Sequence, residues 1–240
     1  MANQLADYPM QFCSPVVIGR HPDRVGLSNT MVRNATGTLV YREGVTLIVT
    51  MKHVLDIYRS AQESDSRTIF RFSETEFDPL TRIVGENAAS DLVSLNAEGL
   101  SIYRDAPHLP PLTQYPTPTW PLPKPVVGDQ IILTGWPEEV RVLSDGGREI
   151  HHKPESLIGI RVTHLFEGRF QCVLDRTGWE DSAGRSDYIG APISSGFSGA
   201  PMFAERLENG IAVLTLVGFV REYGELLDVL VGSYSSDIPS

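Results

Sequence analysis

A chain of 240 residues with 41% hydrophobic content can bury a sizeable core, as one large domain or two small ones. Thirty acidic residues against twenty basic ones give a formal charge of -10, which sets the chain against nucleic acid and anionic membrane as partners. Two cysteines, Cys13 and Cys172, are too few for a disulfide framework, and the opening MANQLADYPMQF lacks the pattern of a secretory signal. The apolar run IAVLTLVGFV falls far short of the roughly 20 residues that cross a bilayer. The expected address is cytoplasmic, with both thiols reduced.

In chain order, short runs of Val, Ile, Thr and Phe recur between Gly, Asp, Asn and Pro turn signals. Residues 37–42 (GTLVYR) and 45–51 (VTLIVTM) read as strands, and 53–62 (HVLDIYRSAQ) as a helical turn. Strands follow at 67–72, 80–85 and 91–96. The segment 104–129 then holds eight prolines. Each removes an amide donor, so it is expected to be an extended connector outside any sheet. Beyond it, 130–136, 157–165, 169–175, 211–220 and 226–234 read as strands. The fold class is all-β. The expected organisation is a β unit at 1–105, a connector at 106–127 and a second β unit at 128–240.

The stretch SSGFSGAPMF, residues 194–203, sets Ser198 among Gly196, Gly199 and Pro201, so the backbone turns sharply and displays the hydroxyl. A serine needs a base to take its proton and a third group to hold that base. None of the six histidines follows Ser198, which excludes the Ser…Asp…His order of α/β-hydrolases, and GFSGA lacks the last glycine of their elbow. His53 stands directly after the apolar strand 45–51, and Asp91 heads the strand 91–96. Asp56, three residues beyond His53, is a lesser candidate for the orienting acid. His151 and His152, in a polar hairpin tip, lack the spacing of a zinc site, and no phosphate-cradling loop occurs, so no metal or cofactor is expected.

TGTLVYREGVTLIVTMKHVL, SDLVSL, GDQIILTGWP, GFSGAP and LVGFV, in this order, resemble the signature segments of trypsin-like serine peptidases of the chymotrypsin and HtrA type, across roughly residues 36–234. The resemblance implies two antiparallel six-stranded β-barrels with the site in the cleft between them. It implies His53 as general base, Asp91 as orienting acid, Ser198 as nucleophile, and the Gly196 and Ser198 amides as the oxyanion hole. It sets Pro192, Ile193, Val220, Arg221, Glu222 and Gly232 along the substrate cleft, Pro192 as pocket floor and Gly232 as pocket wall. Without an acid at the floor, a small or apolar residue before the scissile bond is expected.

Phe197 departs from the Asp or Asn usual before the serine, so activation by a newly cut N-terminus is not expected. Arg221 departs from the serine usual near the triad acid. The implied activity is a serine endopeptidase acting on a protein or peptide substrate, regulated by a protein partner or narrow in specificity. The alternative is a catalytically silent module that keeps the double barrel and binds a peptide or partner protein in the cleft.

Overall fold

The structure is a computed structural model that describes residues 7–20, 32–117, 119–138, 142–144, 149–174, 196–224 and 228–240. Expected strands and observed strands coincide over most of their lengths. In the first half these are β1 (Cys13–Arg20), β2 (Arg33–Arg42), β3 (Val45–Met51), β4 (Thr68–Phe72), β5 (Thr75–Glu76), β6 (Ile83–Asn87), β7 (Leu92–Asn96) and β8 (Tyr115–Pro116), with a helix at Lys52–Ser64. The second half contributes β9 (Gln130–Gly135), β10 (Val142–Ser144), β11 (Glu149–His151), β12 (Glu155–Phe166), β13 (Arg169–Val173), β14 (Pro201–Glu208), β15 (Ile211–Gly224) and β16 (Val229–Tyr234).

In the second half, β9, β12, β13, β16, β15 and β14 close into a six-stranded barrel, with β10 and β11 paired as a separate hairpin. The first half forms one curled sheet in the order β5-β4-β1-β2-β3-β7-β6. Together they make the chymotrypsin-like two-barrel layout, mostly β, with one correction: the first barrel is an open half-barrel. Between its edge strands β5 and β6 the chain forms a 3-10 turn at Pro79–Arg82, opened by a proline that cannot donate to a ladder. The turn is capped by Asp78, whose Oδ1 accepts the Leu80 N–H at 3.0 Å. It also displaces the strand expected at 80–85, which begins at Ile83.

Besides the short β5, β8, β10 and β11, two long strands are not expected from the sequence. β1 carries Pro15, a residue that argues against a strand, yet it pairs on both sides, with β2 and β4. β14 begins at Pro201, the end position where a sheet tolerates proline. The connector also enters a sheet, because Tyr115 and Pro116 lie parallel to Val40 and Tyr41 of β2. Its proline donates nothing there, while the Thr117 N–H reaches Tyr41 O at 3.1 Å.

The two halves share a core. Phe203, Leu216 and Phe219 belong to the second barrel but pack into the hydrophobic cluster of the first. The Phe203 ring meets those of Tyr8, Phe12 and Tyr115 at centroid distances of 5.4, 5.8 and 5.4 Å. Arg104, half-buried, fastens the start of the connector through the carbonyls of Met10, Cys13 and Pro110.

Because Phe203 is fully buried between the halves, Phe203→Ala is expected to cost about 3–5 kcal/mol. Urea unfolding followed by tryptophan fluorescence should show both halves shifting together in one transition. A shift confined to one of two separate transitions would contradict the shared core.

Candidate active site

Local sequence sets each side chain. The apolar strand β3 runs directly into the helix Lys52–Ser64, so His53 occupies its first turn, where backbone N–H groups lack intrahelical acceptors. Met51, at the cap position, supplies no side-chain acceptor. Asp91 supplies it: its Oδ1 takes the His53 N–H at 3.0 Å and its carbonyl takes the Lys52 N–H at 2.7 Å. The second carboxylate oxygen, Oδ2, lies 2.7 Å from His53 Nδ1. His53 Nε2 in turn lies 3.2 Å from Ser198 Oγ. The structure thus brings together side chains separated by 38 and 107 positions in sequence. The imidazole keeps 41% of its surface exposed and the carboxylate only 17%, so a substrate can reach the first while the second is shielded.

The turn bearing Ser198 is held by the other half of the molecule. Gly196 and Gly199 have φ of +110° and +89°, a region that favours glycine. A Cβ at Gly196 would collide with Trp136 O and lie 2.8 Å from Pro137 Cα, and one at Gly199 would collide with Thr36 O and lie 2.7 Å from Thr50 Oγ1. Thr36 N–H donates to Ser198 O at 2.9 Å, and Thr36 Oγ1 donates to Gly196 O at 2.7 Å while accepting the Trp136 N–H at 3.2 Å. Thr38 Oγ1 donates to Gly199 O at 3.0 Å, and Thr50 Oγ1 to Thr36 O at 2.9 Å. From its own barrel, the turn receives Val220: Gly199 N–H donates to Val220 O at 2.8 Å and Val220 N–H to Ala200 O at 2.9 Å. Among the described residues, the N–H groups of Gly196 and Ser198 have no acceptor, as donors awaiting an oxyanion would not.

The sequence reading passed over Thr36, Thr38 and Thr50. Their signal is a polar residue at every second position of a strand otherwise buried on both faces, ATGTLV at 35–40. Asp56, the lesser candidate, is taken by Lys52 at 2.6 Å and Arg59 at 2.7 Å.

The substrate-side expectations fare differently. Pro192 and Ile193 lie outside the described residues. Val220 is buried in the second core, and both of its backbone groups support the serine turn. A Cβ at Gly232 would meet the Phe170 ring at 2.5 Å and Met202 Sδ at 2.8 Å, so that side of the residue faces the barrel core. Arg221 reaches the turn of Asp91, its Nη1 donating to Ala89 O at 3.1 Å and its Nε lying 4.0 Å from Asp91 Oδ2. Glu222 is exposed on β15. The Phe197 ring is packed so closely on Gly135 that a Cβ there would stand 2.8 Å from its Cε1.

Three-dimensional likeness extends to solved proteases of the chymotrypsin-like fold. A thermostable serine protease from an extremophilic microorganism is 13% identical and covers 93% of this chain and 91% of its own, at a TM-score of 0.45. The human pathogenic astrovirus serine protease is 9% identical, covering 92% and 88%, at 0.40. A catalytically inactive tobacco etch virus protease complexed with substrate is 11% identical, covering 95% and 80%, at 0.44. No protein-family model and no curated protein sequence matches the chain.

Neither cysteine joins the site. Cys13 and Cys172 are free and buried, and burial pushes both thiols from an ordinary 9.0 up to about 12. His152 Nδ1 lies 3.0 Å from Asn34 Nδ2, and among the described residues no group of three His, Cys, Asp or Glu side chains is placed to hold a metal. No helix among them is long and apolar enough to cross a membrane.

Both thiols should resist a disulfide reagent at pH 8 in the native protein and react fully in denaturant. Since the unfolded chain releases these protons near pH 9 and the folded chain only near 12, stability is present below pH 9 and is lost as pH rises between these values. Replacing both cysteines with alanine should flatten that part of the pH–stability curve.

Proposed function

We propose that the chain is a trypsin-like serine endopeptidase that hydrolyses peptide bonds of a protein substrate through Ser198, His53 and Asp91. The observation that carries this reading is the continuous line of contacts from Asp91 Oδ2 to His53 Nδ1 to Ser198 Oγ. As Oγ attacks the carbonyl carbon of the scissile bond, His53 Nε2 takes its proton. The tetrahedral intermediate places its oxyanion against the Gly196 and Ser198 amides. Nε2 then hands the proton to the leaving amine as the C–N bond breaks. A water molecule repeats the cycle on the acyl-enzyme and frees the serine. Asp91 keeps the Nδ1–H tautomer and stabilises the imidazolium formed twice in each turnover.

The lack of an acid at Pro192 supports a small or apolar residue before the scissile bond. Two buried free thiols suit a reducing compartment, hence a cytoplasmic enzyme. In such a compartment the activity is governed by narrow specificity or by a protein partner. The chemistry calls for no cofactor.

A fluorophosphonate probe tests the reading. Labelling is expected on Ser198 and is expected to vanish in Ser198→Ala, while Asp91→Asn should lower turnover of a peptide substrate by about 10⁴-fold. A folded chain that takes no label would instead be a binding module with a silent cleft.

A further inference from the structure

We infer that Arg221 is a positioning residue that holds Asp91, and through it His53, in register with Ser198. This rests on the serine-peptidase reading and replaces the expectation that Arg221 faces substrate. Asp91 has φ of +56°, a region that residues with a Cβ adopt rarely, so its carboxylate stays aimed only if the turn before it is held. Asn87 Oδ1 accepts the N–H groups of Ala89 at 3.1 Å and Ser90 at 3.3 Å, and Ser233 Oγ donates to Ser90 O. Arg221 adds a bond to Ala89 O and sets its Nε toward Asp91 Oδ2, the oxygen that faces the imidazole. A guanidinium is a rigid planar fork, so these two contacts fix the carboxylate relative to its own turn.

The backbone explains why residue 221 points there. Along β15 and β16, Val220 pairs with Gly232 and Glu222 with Val231, which leaves Arg221 as the extra residue of a β-bulge. A bulge re-aims the side chain it carries. Val220, immediately before it, exchanges hydrogen bonds with both Gly199 and Ala200. Arg221 is therefore tied by its backbone to the turn of the nucleophile and by its side chain to the turn of the acid. The side chain is 24% exposed, and an ion pair at 4.0 Å in such a setting contributes little to stability, so the effect falls on geometry.

The experiment compares wild type with Arg221→Met, which keeps the stem without the fork, and Arg221→Lys, which keeps the charge. Three quantities are read: the second-order rate of fluorophosphonate labelling, the low-field proton NMR line of His53 Nδ1–H, and the thermal midpoint. Arg221→Met should label about 10²-fold more slowly, the loss expected when a reacting group is displaced by about 1 Å. Its Nδ1–H line should broaden or shift, its melting should hardly change, and Arg221→Lys should recover part of both losses. If the Met variant melts early, Arg221→Gln is read in its place. A variant without the guanidinium that labels at the wild-type rate with its proton line intact overturns the inference. A wild-type protein that takes no label refutes the peptidase reading instead, and the proton line then decides on Arg221 by itself.

Discussion

Everything at the candidate site depends on three buried threonine hydroxyls of the first sheet, two of which bond across to the second barrel. Thr36, Thr38 and Thr50 have no exposed surface, so each hydroxyl must find a partner inside the protein or incur a desolvation cost of about 1–3 kcal/mol. Two find carbonyls of the serine turn, those of Gly196 and Gly199, and the third fixes Thr36 itself. Hydrophobic burial brings the halves together without saying where they stop. Directional bonds to a strained turn do say where, and the spacing between His53 and Ser198 inherits their precision.

The acid works by a similar economy of parts. One carboxylate caps the helix that carries His53 and orients the same residue's ring. Helix start and imidazole orientation are consequently a single arrangement. That coupling explains how a residue in a left-handed conformation can be relied on: the groups around it specify its place several times over.

Much of this was legible beforehand, for reasons that differ from residue to residue. The run of β-branched and apolar residues between turn signals in strands such as β3 and β7 is local, so their position and type could be read from the chain. His53 and Ser198 stood out because a strand end and a Gly/Pro turn announce themselves within a few residues. Pro15 hid β1, and a two-residue pairing hid β8, because partners distant in sequence overrule local preference there. The 3-10 turn at Pro79–Arg82 replaces the start of the strand expected at 80–85, which a local reading of its apolar residues does not reveal. The surroundings of Arg221 and Gly232 could not be read locally, because they depend on a bulge and on which ring fills the barrel.

Gly196 is wedged against Trp136, Phe197 against Gly135, and Gly199 against Thr36 and Thr50. A turn wedged at these three points has little room to change shape. In the peptidase reading, control of activity therefore falls on access to the cleft and not on the shape of the serine turn.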